Sequence, residues 1–265
     1  MIDFEFKEKY GYDDLLHIMR LLRSDEGCAW DKVQTHRSIR GNVLEEAYEV
    51  ADAIDNSDSV ALCEELGDLL MQVVFHAVMG EEEGSFDMDA VADGVCKKLV
   101  NRHPHVFGTV TADTVDAVLD NWDAIKRVEK SQESYTDTLL SVPRAFPALL
   151  RAAKVQKRAA KAGFDWPNAD GAWDKLSEEA EELRRACEGG SSSEIEDELG
   201  DLLFSAVNIS RFIGADAEQA LSRSTDKFIS RFAAVERLAA ERGIDMKSSS
   251  LEELDRLWDE VKKSS

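Results

Sequence analysis

Residues 178–201 read EEAEELRRACEGGSSSEIEDELGD. The spacing predicts two helices that fold back and aim carboxylates at each other. Glu178 and Glu182 are four apart, and Glu179 and Glu182 three apart, so all three fall on one side of the first helix. Glu198 and Asp201 are again three apart on the second. The intervening stretch 188–193 is rich in glycine and serine, with Ser193 and Glu196 spaced as a capping box. Leu176, Ala180, Leu183 and Cys187 keep helical period in the first helix, as do Ile195, Leu199, Leu202, Ala206 and Ile209 in the second. Antiparallel packing is expected to bury these stripes and leave an acidic wall on the adjoining face.

Crowded like charges cost roughly several kcal/mol at short range unless a positive charge sits between them. A divalent cation answers that need, and an all-oxygen donor set favours Mg²⁺, or Mn²⁺ in its place, over zinc or iron. An isolated acidic cluster is ordinarily a solvated helix face. Here, however, the cluster occurs twice. Glu45, Glu46, Glu49, Glu65 and Asp68 precede Glu178, Glu179, Glu182, Glu198 and Asp201 by the same 133 residues (178 − 45 through 201 − 68), which gives a possible second metal site in the first repeat. Glu-Leu-Gly-Asp-Leu-Leu occurs at both 65–70 and 198–203. Lys98 and Arg102 match Lys227 and Arg231, and Trp122 and Lys126 match Trp258 and Lys262. The chain is an internal duplication.

With 265 residues it has room for two domains with cores of their own. Apolar residues recur at three and four throughout and no stretch alternates as a strand does, so the expected fold is all-α, two tandem helical domains. The expected boundaries are 1–131, a linker at 132–147 containing Pro143 and Pro147, and 148–265. No apolar run is long enough to span a membrane, and the opening residues lack the pattern of a signal peptide, which makes a cytoplasmic protein the default. The four cysteines form no Cys-x-x-Cys pair and are expected to be small buried residues. A net charge of −22 argues against nucleic acid as a partner, but not against a small anion whose site carries its own cations.

In chain order, helices are expected over 12–23, 38–54 and 60–79, followed by a Gly/acid-rich bridge over 80–89 and a helix bearing Lys98 and Arg102. His103-Pro104-His105 is expected in a compact loop with a structural role. After the linker, Arg144 to Lys161 forms a basic helix whose Arg151, Lys154, Lys157, Arg158 and Lys161 either balance neighbouring acids or steer a substrate. Gly163-Phe164-Asp165-Trp166 is expected as a turn. Asn208 falls two turns beyond Asp201 on the same helix face, which puts an amide near the acids. Helices are expected at 217–240 and 251–262.

Glu-Glu-x-x-Glu followed by Glu-x-x-Asp, together with the motifs Cys-Ala-Trp-Asp-Lys-x-Gln-Thr-His, His-Pro-His-Val-Phe-Gly, Gly-Phe-Asp-Trp and Lys-Phe-x-x-Arg-Phe, resembles the tandem-domain MazG nucleoside triphosphate pyrophosphohydrolases. The likeness covers nearly the whole chain in order. It implies a homodimer of helical bundles, Mg²⁺ dependence, cleavage of NTPs or dNTPs to NMP and pyrophosphate in nucleotide-pool house-cleaning or stress, and a C-terminal domain that carries the principal activity. Carried over residue by residue, it makes Glu179, Glu182, Glu198 and Asp201 the Mg²⁺ ligands. Glu178 stands beside them, and Lys175, Lys227, Arg231, Trp258 and Lys262 surround the nucleotide. Glu178 or Glu179 is the candidate general base, and Trp258 offers a face for stacking or else fills a core.

Two other classes compete. A ferritin-like di-metal bundle needs Glu-x-x-His, and no histidine follows His105. A non-catalytic helical metal-binding or protein-interaction module predicts that nothing depends on Glu198 or Asp201. The 133-residue offset also pairs Asn208 with Phe75, so the first pocket is expected to be closed by packing and the second half to carry most of the chemistry.

Overall fold

A computed structural model of the protein describes residues 4–111, 114–129 and 132–264. Helices joined by turns account for its regular structure, with no strand among the described residues. Two compact units divide the chain, Met1–Ile125 and Lys126–Ser265. The first holds α1 (Tyr12–Arg23), α2 (Ala29–Lys32), α3 (Arg40–Asp55), α4 (Ser59–Glu82), α5 (Met88–Arg102) and α6 (Pro104–Phe107), and α7 (Val115–Glu129) crosses the division. The second holds α8 (Tyr135–Leu140), α9 (Ala148–Lys161), α10 (Ala169–Gly189), α11 (Ser192–Phe212), α12 (Ala217–Glu241) and α13 (Leu251–Ser264). No described helix is long and apolar enough to cross a membrane.

Each unit is organised on one helical hairpin, α3 against α4 in the first and α10 against α11 in the second. A preceding helix packs on the second arm of each, α1 on α4 and α9 on α11, so the sequence repeat is also a repeat of architecture. Asp58 caps α4 by accepting from the amides of Val60 and Ala61, and Asp216 caps α12 through Gln219. The capping box of α11 is Ser191 with Glu194, two residues before the expected Ser193 and Glu196. The helix begins earlier because Gly190 is extended and frees Ser191 to turn its hydroxyl onto the Glu194 amide.

Residues 132–147 contain α8, capped by Ser134 and Asp137 and packed on α9, where Arg158 donates to the Thr138 carbonyl and to Ser141 Oγ. Two further expectations change, those on residues 104–107 and on the cysteines. Residues 104–107 form the short α6, with Pro104 at its first turn, where a missing N–H costs nothing. Cys63, Cys96 and Cys187 are exposed, because their helix positions turn away from the packed side of each unit, and Cys28, just before α2, is half-buried.

In the first unit Met19, Ile39, Val74, Phe75, Val78 and Met79 form the core, with Leu15, Leu16 and Met71 against it. Burying side chains of this size stabilises the fold by about 1.5–3 kcal/mol each. In the second unit Val235, Ala239, Leu257 and Val261 lock α12 to α13, with Trp258 at the edge of the cluster. The α10–α11 hairpin is less apolar inside than its stripes predicted. Ala180, Leu199 and Ala206 are exposed, while Glu179 and Ser205 are buried together with Val207 and Ile209. The acids thus occupy part of the seam between the helices, and Leu199, Leu203 and Phe204 are left facing outward.

Candidate metal and nucleotide site

Glu179 and Glu182 stand one turn apart on α10, and Glu198 faces them from α11. Each offers a carboxylate oxygen, and these oxygens lie within 4.8 Å of one another. Glu179 is only 4% exposed, which an ionised carboxylate tolerates only with a compensating charge. Lys175, one turn earlier, supplies one: its Nζ lies 2.6 Å from Glu179 and 3.1 Å from Glu178. Hydrogen bonds to Glu179 and then to Glu178 hold that ammonium protonated far above neutrality. On the other side of the cluster the balance is reversed. Loss of water raises the Glu198 pKa, and the charges of Glu182, Glu179 and Asp201 push it further. Asp201 is exposed and stands outside the triplet, a turn beyond Glu198. Glu182 pairs at 3.3 Å with Arg185.

The Lys175 ammonium and the Arg185 guanidinium among five carboxylates leave the cluster short of positive charge, and every convergent donor is a hard oxygen. The residues therefore fit a small divalent cation of the Mg²⁺ or Mn²⁺ kind, with Glu179, Glu182 and Glu198 to hold it and Asp201 adjacent.

The first unit repeats the arrangement with Glu46, Glu49 and Glu65. Glu46 is raised by loss of water, then by Asp68, Glu49 and Glu65, and Glu65 is raised likewise. Glu45 is exposed beside them. The residue at the position of Lys175, however, is Asn42 (175 − 133), so this triplet lacks the lysine of its counterpart.

The remaining expected contacts are placed elsewhere. Lys227 and Arg231 are on α12, and Trp258 and Lys262 on α13. These helices pack on each other, and α12 also packs on α9. Trp258 is half-buried, with its ring 5.2 Å from that of Phe228. Within one chain the fold brings the acids and Lys175 together, and gathers the other four on a separate hairpin.

Asn208 lies on α11 beyond the acids, as its spacing implied. Its Oδ1 accepts from Arg211 Nη2 at 3.0 Å, and Arg211 forks onto Asp165, with 2.8 Å for the Nη1 to Oδ2 contact. These side chains line a cavity of about 300 Å³ between α9, α11 and the turn before α10. Gln156, Asp165 and Arg211 had no signal in the sequence beyond the Gly-Phe-Asp-Trp motif, since Asp165 and Arg211 meet across 46 residues.

Residues 34–107 and 171–235 match the family described as the MazG nucleotide pyrophosphohydrolase domain. The chain belongs to the MazG family. Both matched regions contain a carboxylate triplet, and the second also contains Lys175, Asn208, Lys227 and Arg231. The chain is 44% identical over 254 residues to the nucleoside triphosphate pyrophosphohydrolase of Escherichia coli K12, covering 95% of this chain and 97% of that protein. It is 40% identical over 251 residues to the nucleoside triphosphate pyrophosphohydrolase/pyrophosphatase MazG of Thermotoga maritima, 95% of each chain. Bacillus subtilis YabN is 45% identical over 93% of this chain and only 50% of its own length, so the MazG pair there is part of a larger protein.

Proposed function

We propose that this MazG chain hydrolyses nucleoside triphosphates, ribo- or deoxyribo-, to nucleoside monophosphate and pyrophosphate with Mg²⁺, at the carboxylates of α10 and α11. The observation that carries this reading is the Glu179–Glu182–Glu198 triplet with Lys175 against its buried member, inside a region matched by the family. A bound Mg²⁺ would supply Lewis acidity toward the phosphate oxygens. Glu179, Glu182, Glu198 and Asp201 would hold it. Water adds its oxygen to phosphorus, the bond between the α- and β-phosphates breaks, and the water proton passes to a carboxylate. Glu178 suits that last role, because it is exposed and leaves the cation ligands intact, whereas Glu179 is buried against Lys175. With a cation bound to Glu179, Lys175 would be free to face the phosphates.

Lys227, Arg231, Trp258 and Lys262 are proposed as nucleotide contacts, with Arg231 giving the forked grip on phosphate. We further propose a homodimer, supported by the outward-facing Leu199, Leu203 and Phe204 beside the acids and by Phe228, Ile229 and Phe232 on α12, all at least 44% exposed in the single chain. The second half is proposed to carry most of the turnover. Phe75, the counterpart of Asn208, is 4% exposed within the first core, and Asn42 replaces Lys175. The Glu46–Glu49–Glu65 triplet is a candidate second cation site that supports the fold or regulates it. House-cleaning of the nucleotide pool is the cellular role that broad hydrolysis of this kind suits.

The test is incubation of the purified chain and Mg²⁺ with a panel of standard and modified NTPs, with identification of products. Monophosphate and pyrophosphate are expected. Diphosphate and phosphate, or no turnover of any nucleotide, would remove the proposal. A non-catalytic module would in addition show no Mg²⁺ affinity by titration.

A further inference from the structure

In the second unit α11 carries a polar relay where its sister helix carries core. At the 133-residue offset Asn208 and Arg211 correspond to Phe75 and Val78 of α4. Phe75 and Val78 are 4% and 2% exposed in the first core, and the Arg23 guanidinium closes over Phe75 at 5.3 Å from its ring centre. One copy of the hairpin thus folds with apolar side chains at these places. In the other copy Arg211 pairs with Asp165, with only 20% and 26% of the two side chains exposed. Covering an ion pair costs desolvation that apolar residues of similar volume avoid, so folding of the hairpin does not call for the relay.

The relay is built from the turn upward. Gly163, with φ of +85°, follows α9 in the left-handed region that a side chain would strain. Its amide bonds to the Ala160 carbonyl at 2.9 Å and that of Phe164 to the Ala159 carbonyl at 3.1 Å, which closes the helix and brings Asp165 across to α11. Asp165 Oδ1 accepts from the Trp166 amide at 2.9 Å and from Arg211 Nη2, while Oδ2 accepts from Arg211 Nη1 at 2.8 Å. That fork fixes the guanidinium plane. Arg211 then donates from Nε at 3.3 Å and from Nη2 at 3.0 Å to Oδ1 of Asn208.

An amide oxygen has two lone pairs, and Arg211 takes both. Oδ1 is therefore closed to a cation, and the guanidinium beside it repels one. The other end of the amide is open: among the described residues no acceptor takes Asn208 Nδ2. Asn208 borders a cavity of about 300 Å³, also lined by Gln156, whose Nε2 donates to the Phe204 carbonyl at 2.8 Å and whose Oε1 is buried without a hydrogen-bond partner. The space beside Asn208 suits a polar group. Seven residues of α11 separate Asn208 from Asp201, roughly 10 Å along the axis. A cation among the acids is out of its reach, whereas a nucleotide held by that cation extends far enough to meet it.

We propose that Asp165 and Arg211 are positioning residues for the hydrolysis: Asp165 locks the Arg211 fork, Arg211 occupies Oδ1 of Asn208, and Asn208 is thereby presented to an oxygen of the nucleotide as a hydrogen-bond donor. This rests on the carboxylate hairpin being the catalytic site. The base remains with Trp258.

The full-length protein with Mg²⁺ is assayed for pyrophosphate release from ATP, with the melting temperature of each variant recorded. Asn208→Asp keeps the shape of the side chain and its bonds to Arg211 but replaces the donor with a second acceptor. It is expected to melt no lower than wild type, to raise KM roughly tenfold or more and to leave kcat within about threefold, as loss of a ground-state contact does. Arg211→Lys, which cannot fork onto Asp165 and reach Asn208 together, and Asp165→Asn are each expected to raise KM several-fold. In an Asn208→Ala background the same two changes are expected to add nothing to KM, because their effect passes through the amide. A KM close to wild type in Asn208→Asp, or losses from Arg211→Lys and Asp165→Asn that persist in the Asn208→Ala background, overturn the proposal and leave the catalytic reading standing. If the wild type hydrolyses no nucleotide, the catalytic reading fails, and binding of ATP with Mg²⁺ is measured by calorimetry instead. Weaker ATP binding by Asn208→Asp, with Mg²⁺ affinity unchanged, upholds the relay, and equal or absent binding removes it.

Discussion

Lys175 Nζ lies 2.6 Å from the carboxylate of Glu179, one turn further along α10, and Glu179 is the most buried acid of its cluster. The lysine occupies the place a cation would compete for. In Lys175→Met, Glu179 is left without its cation, so the metal-free protein should melt at lower temperature than wild type and be stabilised more by added Mg²⁺. Turnover should fall at the same time, because the phosphates lose a partner. Thermal melts with and without Mg²⁺ check this, and an Mg²⁺ shift equal to that of wild type would show that Lys175 does not guard Glu179.

Glu182→Gln should lower Mg²⁺ affinity and cut turnover by orders of magnitude, since each ligand's charge offsets the cation's dehydration. Asp201→Asn should do likewise. Both folds should persist, with less repulsion in the metal-free state. Glu49→Gln, the same change in the first repeat, should leave most of the activity. Equal losses from Glu49→Gln and Glu182→Gln, with fold intact, would mean that both halves are catalytic.

Arg231→Ala should cost more activity than Arg151→Ala, if the first grips phosphate and the second only balances charge on α9. Steady-state kinetics of both variants decides it. Small equal losses would place Arg231 among ordinary surface charges.

His36 and His76 stack with ring centres 5.0 Å apart and share a hydrogen bond of 2.7 Å between their Nδ1 atoms, which requires one donor and one neutral acceptor. Burial, and then the neighbouring His36, push the His76 pKa below the ordinary histidine value. A folded pKa below the unfolded one means that the unfolded chain binds the proton more readily. The stability from this pair is therefore present above the unfolded pKa and is lost as pH falls through the folded value. Urea midpoints should drop between neutral pH and mildly acid pH, and His76→Phe should flatten that dependence. A profile unchanged by His76→Phe would assign the acid sensitivity to other groups.

Ser191 caps α11 in a reciprocal box with Glu194. Ser191→Ala should destabilise the second unit by about 1 kcal/mol, while Ser193→Ala, inside the first turn, should cost much less. Denaturant unfolding of the two variants separates the sites.

Periodicity and the 133-residue repeat determined the all-α class, the paired hairpins and the acids that converge, because helix geometry alone puts residues three and four apart on one face. Glu179, Glu182 and Glu198 needed no more than that, and the same holds for Glu46, Glu49 and Glu65. What the sequence did not determine is which face of each helix turns inward. The stripe with Leu199 faces out and Glu179 is buried, because among the described residues α9 is the helix that packs closely on the hairpin, and it covers one side of it. The cap moved from Ser193 to Ser191 because an extended Gly190 decides where the turn closes, and spacing does not record backbone angles. The Asp165–Arg211 fork and the orphaned oxygen of Gln156 depend on segments about 46 to 48 residues apart being packed together. Contacts between distant segments are set by packing, which is why the acids were legible in the sequence and the cavity beside them was decided only by the tertiary structure.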